Sequence, residues 1–391
     1  MAQAVGKRVH GALRFGWSAG APLRVRDLAL SGVDYGLSGV LSVANLDNIA
    51  ALTILPDVTL EARDLSRFAG LVGLDLAGGA ELAIRGQVAP LTGELSLNFD
   101  GTTRDVAVGV ARLDPLLAGE GALRLHVERD TDSLRVDPLT INTKQARIEA
   151  TAKLSRAGST LSARASVPDV SQALPGMSGA ATLSAQVDQK VDGWHVTLSS
   201  DLPGKTQAGF QGVITGDGVK QLRAEGTLSA DVGQLSVFSD LAGRRLGGAV
   251  SLSAQGKADL LARSFDVTAT GETRGLDFGV PTLTPLLRGT VGFEASIGRD
   301  AQGVVAIREL TASGPAANAA LSGSFGPGEG RLEYRLGVGN LGVVIPDLPG
   351  PARVSGTAVM RGGPWQIDAT GTGPGGLPLT PADRWRRMGQ R

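Results

Sequence analysis

Residues 147–167 read RIEATAKLSRAGSTLSARASV. Ile148, Ala150, Ala152 and Leu154 alternate with Arg147, Glu149, Thr151 and Lys153. After Arg156-Ala157-Gly158-Ser159, the residues Leu161, Ala163, Ala165 and Val167 alternate with Ser162, Arg164 and Ser166. Successive side chains of a strand point to opposite faces, so this period of two predicts two strands with one apolar and one polar side. The Gly-containing stretch between them predicts a hairpin. Antiparallel sheets that are wet on one side carry this pattern.

The same reading extends in both directions. Upstream, Leu123, Leu125 and Val127 alternate with Arg124, His126 and Glu128. Downstream, Ala181, Leu183, Ala185 and Val187 alternate with Thr182, Ser184 and Gln186. The apolar members continue as Trp194, Val196 and Leu198, then Val250 and Leu252, then Phe265 and Val267. They go on as Val291, Phe293 and Ile297, then Leu332 and Tyr334, and the pattern recurs from Trp365 to Ala369. Turn signals at Asp192-Gly193, Gly216-Asp217-Gly218 and Gly326-Pro327-Gly328 separate the runs. Strand and turn follow one another most clearly from about residue 76 to residue 373.

Short helical pieces interrupt the strands. Asp114-Pro115-Leu116-Leu117 and Thr284-Pro285-Leu286-Leu287 each place a capping residue type before Pro and end at a Gly. Asp64 to Gly73, Asp169 to Gly176 and Asp231 to Gly243 are similar, and each needs packing against a sheet to be stable. These pieces reveal a repeat. Residues 113–130 (LDPLLAGEGALRLHVERD) align without a gap on residues 283–300 (LTPLLRGTVGFEASIGRD), with seven identities in 18. After one inserted residue the match runs on through Leu139-Thr140 against Leu310-Thr311, so 113–170 and 283–341 are read as copies. GAATLSAQ (179–186) and GAVSLSAQ (248–255) form a second pair. Repetition of this kind marks an architecture in which each unit contacts mainly its neighbours.

Composition excludes several chemistries. The chain has 391 residues, 38 Lys+Arg against 38 Asp+Glu, no Cys and 3 His. Without Cys there is no disulfide framework, thiolate metal site or Cys nucleophile. His10, His126 and His195 are far apart, so a local His metal motif is absent. Zero net charge without a basic run argues against a nucleic-acid partner. The aromatic share of 4% supplies neither the large rings of sandwich cores nor the girdles of a membrane barrel. No apolar stretch approaches the roughly 20 residues of a membrane helix. No signal-peptide pattern follows Lys7-Arg8, so the expectation is a piece of a longer chain.

Letter matches to catalytic motifs lack their context. Gly16-Trp17-Ser18-Ala19-Gly20 has the spacing of a nucleophile elbow but is followed by Pro22 and a strand-like run. Pro203-Gly204-Lys205-Thr206 resembles the end of a phosphate loop without its first Gly or its helix. Gly371 to Gly376 fits a dinucleotide fingerprint by letter only, since Leu377-Pro378 starts no helix. Glu128, Asp130 and Asp132 form an acidic tip, read as a solvated turn in preference to a Ca²⁺ site. Trp194, Phe265 and Phe293 serve equally as core packing or as groove lining. Arg384-Trp385-Arg386-Arg387 is a basic aromatic patch, read as the opening of a helix in preference to a lipid contact.

The phrases Leu37-Ser38-Gly39, Leu321-Ser322-Gly323, Gly226-Thr227-Leu228-Ser229-Ala230 and Leu252-Ser253-Ala254-Gln255, with the short helical interruptions, resemble the TamB family (translocation and assembly module subunit) and the wider AsmA-like proteins. The resemblance covers roughly residues 20–376 and is one of repeat texture. It implies an elongated antiparallel β-taco, a half-rolled sheet around a hydrophobic groove, in the periplasm of Gram-negative bacteria. It also implies roles in phospholipid transport between the membranes and in outer-membrane protein assembly. The family's membrane anchor and its domain for docking on an outer-membrane barrel partner have no counterpart here, so an interior fragment is expected. Around two dozen strands are expected. The organisation read from the sequence is a lead at 1–20, a β-groove region at 21–373 and a Pro/Gly then Arg-rich tail at 374–391. The function expected is non-enzymatic, with no cofactor and with phospholipid acyl chains as the partner. The alternative is a strand scaffold for outer-membrane proteins. The candidate groove lining is Leu123, Leu125, Val127, Ile148, Leu154, Leu161, Leu183, Trp194, Val196, Leu198, Leu252, Phe265, Val267, Val291, Phe293, Ile297, Leu332 and Tyr334.

Overall fold

Alternating apolar and polar residues joined by Gly-rich turns pair in sequence order, because two strands on a short loop meet with the least loss of chain entropy. The computed structural model describes residues 9–216, 221–282 and 284–379. It is all-β and antiparallel, with 23 strands among the described residues. The chain forms two units, Met1–Gln189 and Lys190–Arg391.

In the first unit the strands are β1 (His10–Gly16), β2 (Leu23–Ser31), β3 (Tyr35–Ala44), β4 (Thr53–Ala62), β5 (Ala77–Ala89), β6 (Glu94–Ala107), β7 (Glu120–Arg129), β8 (Ser133–Thr143), β9 (Arg147–Ser155), β10 (Thr160–Val167) and β11 (Ala181–Lys190), whose last residue passes the boundary. Each pairs with the next. In the second unit they are β12 (Gly193–Leu202), β13 (Thr206–Gly216), β14 (Leu222–Val232), β15 (Gly247–Asp259), β16 (Ser264–Asp277), β17 (Thr290–Arg299), β18 (Val305–Ser313), β19 (Ala317–Phe325), β20 (Glu329–Val338), β21 (Ala352–Arg361), β22 (Gln366–Thr372) and β23 (Pro378–Leu379). These also pair consecutively. Among the described residues no pairing joins the first strand of either unit to its last, so neither meander closes.

Every strand expected from alternation is present. The sheet also begins earlier than the clearest alternation did: β1 to β4 precede residue 76 and β1 lies within 1–20. Irregular spacing hides these strands. Asp27 has φ 54° at a register shift between Val25 and Leu28, and Pro56 falls where the β4–β5 ladder skips. The turn expected at Gly216-Asp217-Gly218 lies beyond the described residues after Gly216, as does the patch at 384–387.

The helical pieces are single turns, with two corrections. Asp231 is in β14, and the helical turn begins at Leu235. Asp114 is the first helical residue and does not cap the helix. Its carboxylate accepts the N–H groups of Val108 at 2.8 Å and Val110 at 3.3 Å, tying the strand exit to the turn. The 113–130 and 283–300 copies coincide in structure: helical turns Asp114–Leu117 and Thr284–Leu287 lead into β7 and β17. The duplication is wider than the sequence match. Leu65–Phe68 and Ala69–Val72 before β5 correspond to Leu235–Phe238 and Ser239–Ala242 before β15, each pair ending at a left-handed Gly (Gly73, Gly243). The pair at 179–186 and 248–255 belongs to a different phase of this repeat: both are strands that follow a helical turn.

In a meander, connections from even to odd strands all fall at one end. All the helical turns of the second unit lie at that end, and so do those of the first apart from Ile49–Ala51. Tight hairpins form the other end. Burial follows this polarity. Leu116, Leu117, Val170 and Met177 are 7, 5, 4 and 3% exposed, and all lie at the helical end. Ala62, Val232, Val291 and Ala352, apolar-side positions at neighbouring strand ends, are buried with them.

Candidate functional site

The pairing registers extend the local alternation into rows that cross each unit. In the first unit, Leu30, Leu37, Leu60, Leu82, Gly101, Leu123, Ile141, Ile148, Ala165 and Leu183 are consecutive cross-strand partners. The next row contains Val58, Ile84, Phe99, Leu125 and Leu139, followed by Ala150, Ala163 and Ala185. A third runs through Leu97, Val127, Val136, Ala152, Leu161 and Val187. The row nearest the hairpins runs Ile54, Val88, Leu95, Arg129, Leu134 and Leu154.

The second unit repeats the arrangement. One row holds Leu252, Gly271, Phe293, Ala312, Ala319 and Leu336. The next holds Leu198, Phe210, Leu228 and Ala254 and continues to Leu310, Leu321 and Tyr334. A third joins Val196 through three glycines to Val267, Ile297, Ile307, Gly323 and Leu332. The hairpin-side row holds Trp194, Ile214, Ala224, Ala258, Phe265, Arg299, Val305 and Phe325. All the candidate lining residues read from the sequence sit in these rows or, like Val291 beside Thr273, in continuation of them at the helical end.

Most row positions are half-buried, and Val58, Val196 and Ile307 are buried at 7, 7 and 8% exposure, whereas others stand open. Leu161, Leu183, Leu228 and Leu336 are 39, 47, 46 and 47% exposed. Among the described residues no large side chain is less than 2% exposed. Exposed apolar side chains that adjoin along a row form a candidate binding surface.

Four aromatic rings of the second unit lie down on the sheet. The Phe210 ring fills the space that a Cβ at Gly212 or Gly226 would occupy, and the Phe293 ring does so at Gly271. Tyr334 passes over Gly356 of β21, and its hydroxyl donates to the Asp368 carbonyl oxygen of β22 at 3.2 Å. Trp365 reaches across β21 to cover Gly330 of β20. Sequence reading placed such rings on the apolar face but missed their posture. The signal for it was the glycines on adjacent strands.

The opposite face is charged and paired. Arg85 Nε meets Asp57 at 2.8 Å, Arg124 meets Asp100 at 2.9 Å and Arg147 meets Glu149 at 2.6 Å. Such exposed pairs add at most about 1 kcal/mol each, and their effect is to keep this face in water. His126 Nδ1 is 2.8 Å from Asn98 Oδ1, and His195 Nε2 is 2.9 Å from Asp192. Both are half-buried on this face, where solvent exposure was expected. Carboxylates held below their usual range lie in turns or at strand ends. Backbone N–H donors do this for Asp64, Asp130, Asp169 and Asp277, and His195 for Asp192. At the acidic tip, Asp130 accepts the N–H of Asp132 at 2.8 Å and the Ser133 hydroxyl at 2.9 Å, which makes it the organiser of a turn. Among the described residues no group of three or more His, Asp or Glu is placed to hold a metal ion. Gly16 to Gly20 form the turn after β1, with Ala21 N–H bonded to Ser18 O at 3.0 Å, and no helix follows. Pro203 to Lys205 form the β12–β13 turn.

Comparison of the chain with family models, curated proteins and solved structures finds no match. No helix among the described residues is long and apolar enough to cross a membrane.

Proposed function

We propose that the apolar face is a non-enzymatic groove for phospholipid acyl chains, serving envelope biogenesis in the periplasm in the manner implied by the resemblance to TamB-like proteins. One observation carries the reading: in each unit, rows of Leu, Val, Ile, Ala and Gly run across every central strand, and most of their members keep part of their surface accessible. Each methylene removed from water contributes roughly 0.8 kcal/mol, so an acyl chain laid along such rows gains several times RT per few carbons. Small residues give a near-uniform floor, which lets a chain slide without a deep trap. Most helical turns lie at one end of the strands and tight hairpins at the other, and a lipid would enter from the hairpin side.

The test is mass spectrometry of lipids that co-purify with the chain, together with photocrosslinking from acyl chains. Phospholipid bound on the apolar rows is expected. A chain free of lipid, with no crosslink on the rows, defeats the reading.

One feature favours the strand-scaffold alternative. Among the described residues β1 pairs only with β2, and all seven of its residues are exposed. A free edge of this kind can pair with a client strand. Edge crosslinks to protein without crosslinks to lipid would establish that reading in place of the first.

A further inference from the structure

We propose that Arg129 and Arg299 anchor the anionic phosphate headgroup of the lipid whose tail occupies the apolar rows, one site in each copy of the repeat. The proposal rests on the groove reading above. Across all four rows of both units, these two arginines are the only charged residues. They occupy the same register position. Arg129 stands between Leu95 and Leu134, and Arg299 between Phe265 and Val305, each at the end of its strand on the open hairpin side. The ungapped sequence match ends on them, as Arg129-Asp130 and Arg299-Asp300.

The turn explains the aspartates but not the arginines. Asp130 accepts turn donors from Asp132 and Ser133, and Asp300 accepts the N–H of Val304 at 2.9 Å. The Arg129 side chain makes no hydrogen bond or ion pair among the described residues. Arg299 donates only to the carbonyl oxygen of Arg263, so its charge also lacks a carboxylate partner. On the opposite face, by contrast, guanidinium groups such as those of Arg85 and Arg124 are paired.

A concavity opens at each arginine, about 520 Å³ beside Arg129 and about 740 Å³ beside Arg299. Leu95 and Phe265 line the two at equivalent positions, among mostly polar residues of the opposite face such as Ser96, Glu128 and Arg135 or Arg223, Glu225 and Lys257, so each concavity lies at the hairpin rim where the two faces meet. Several nearby carboxylates have other partners, and Glu94, which also lines the Arg129 concavity, accepts only the Thr92 hydroxyl at 3.2 Å. Glu128 is held by His126 at 3.1 Å, Asp266 by Arg308, Glu225 by Lys257 at 3.4 Å, and Asp259 by the N–H groups of Leu261 and Ala262. A guanidinium left unpaired at the margin of an apolar surface suits a phosphate oxygen pair, which it can take with two parallel hydrogen bonds. The alkyl stem lies along apolar surface while the head reaches the rim.

The experiment loads the full chain from vesicles of phosphatidylglycerol or of diacylglycerol with the same acyl chains, and counts bound lipid by mass spectrometry. The wild type is expected to prefer the phospholipid by about tenfold, the worth of one charge-assisted hydrogen bond in a half-exposed place. The double variant Arg129→Met, Arg299→Met keeps the apolar stems. It is expected to lose the preference while loading diacylglycerol as before. A preference that survives in the variant overturns the proposal. So does an equal fall for both lipids, which would make the arginines structural. Inorganic phosphate is expected not to compete at millimolar concentration; effective competition would make these sites for a free anion and overturn the lipid assignment. A wild type that loads both lipids equally overturns this proposal alone, whereas one that loads neither defeats the groove reading as well.

Discussion

Asp169 and Asn340 hold matching turns in the two copies of the repeat through the same pair of bonds. Oδ1 of Asp169 accepts the N–H of Ser171 and of Gly179, both at 3.1 Å; Oδ1 of Asn340 accepts those of Gly342 and Gly350, both at 3.0 Å. One turn uses a charged acceptor and the other a neutral one, so the geometry requires only the oxygen.

Asp169→Asn is therefore expected to fold with a melting temperature near that of the wild type at neutral pH, and Asp169→Ala to melt lower. The bonds from Ser171 and Gly179 hold the Asp169 carboxyl below its ordinary value. Its charged form thus adds stability above the unfolded carboxylate pKa of about 3.9, and this is lost as pH falls through the lowered folded value. The gap between wild type and Asp169→Asn should shrink in that acid window. Melting curves from pH 7 to pH 2 check it, and an Asn variant as damaged as the Ala variant would refute it.

Truncation should discriminate the walled end from the open rows. Leu117, 5% exposed in a helical turn, is expected to cost about 2–4 kcal/mol as Leu117→Ala, because a cavity is left behind. Leu161, 39% exposed on the rows, is expected to cost less than about 1 kcal/mol as Leu161→Ala. Urea unfolding of both variants measures this. Equal large losses would mean that the rows are a closed core.

Charge placed on the two faces should have opposite consequences for lipid. Leu125→Arg and Ile148→Glu put charges into the rows and are expected to reduce lipid loading severalfold. Lys153 lies on the other face, opposite Thr160, and Lys153→Glu is expected to load normally. Loading that falls alike for all three variants would remove the distinction between the faces.

The parked rings predict a rescue. At Gly330, an added Cβ meets the Trp365 ring at 2.6 Å and the Phe325 Cβ at 2.9 Å, with no backbone atom among the nearest contacts. Gly330→Ala is expected to lift the Trp365 ring off the sheet and lower acyl-chain loading about fourfold for each methylene displaced. Adding Trp365→Ala should restore it. If the double variant loads no better than Gly330→Ala, the ring is not the obstacle.

Much of the fold was legible because alternation is local. Ile148 to Leu154 and Leu161 to Val167 declare their strands and the hairpin between them without reference to any other residue. The helical turns were equally readable from Asp-Pro and Gly, apart from their starts, where Asp231 stays in β14 and Asp114 bonds backward. The earliest strands were less legible, since register shifts between Ala12 and Arg14 and between Val25 and Leu28 break the count of two. The candidate lining was found residue by residue, whereas Arg129 and Arg299 were passed over as the ends of an aligned block.

By itself, the sequence of this protein determined which side chains share a face, because a strand's two-residue period depends only on its own backbone. It also determined that the chain repeats, since Leu-x-Pro-Leu-Leu segments and the strands that follow them recur in order. Only the tertiary structure decided which rows those faces form and which of their members are buried, as Val58, Val196 and Ile307 are, or left exposed, as Leu161 and Leu228 are. Cross-strand neighbours depend on hairpin register, and one bulged residue re-aims everything beyond it. That the Arg129 and Arg299 guanidinium groups have no carboxylate partner emerges only at that level, because it depends on which side chains the register brings beside them.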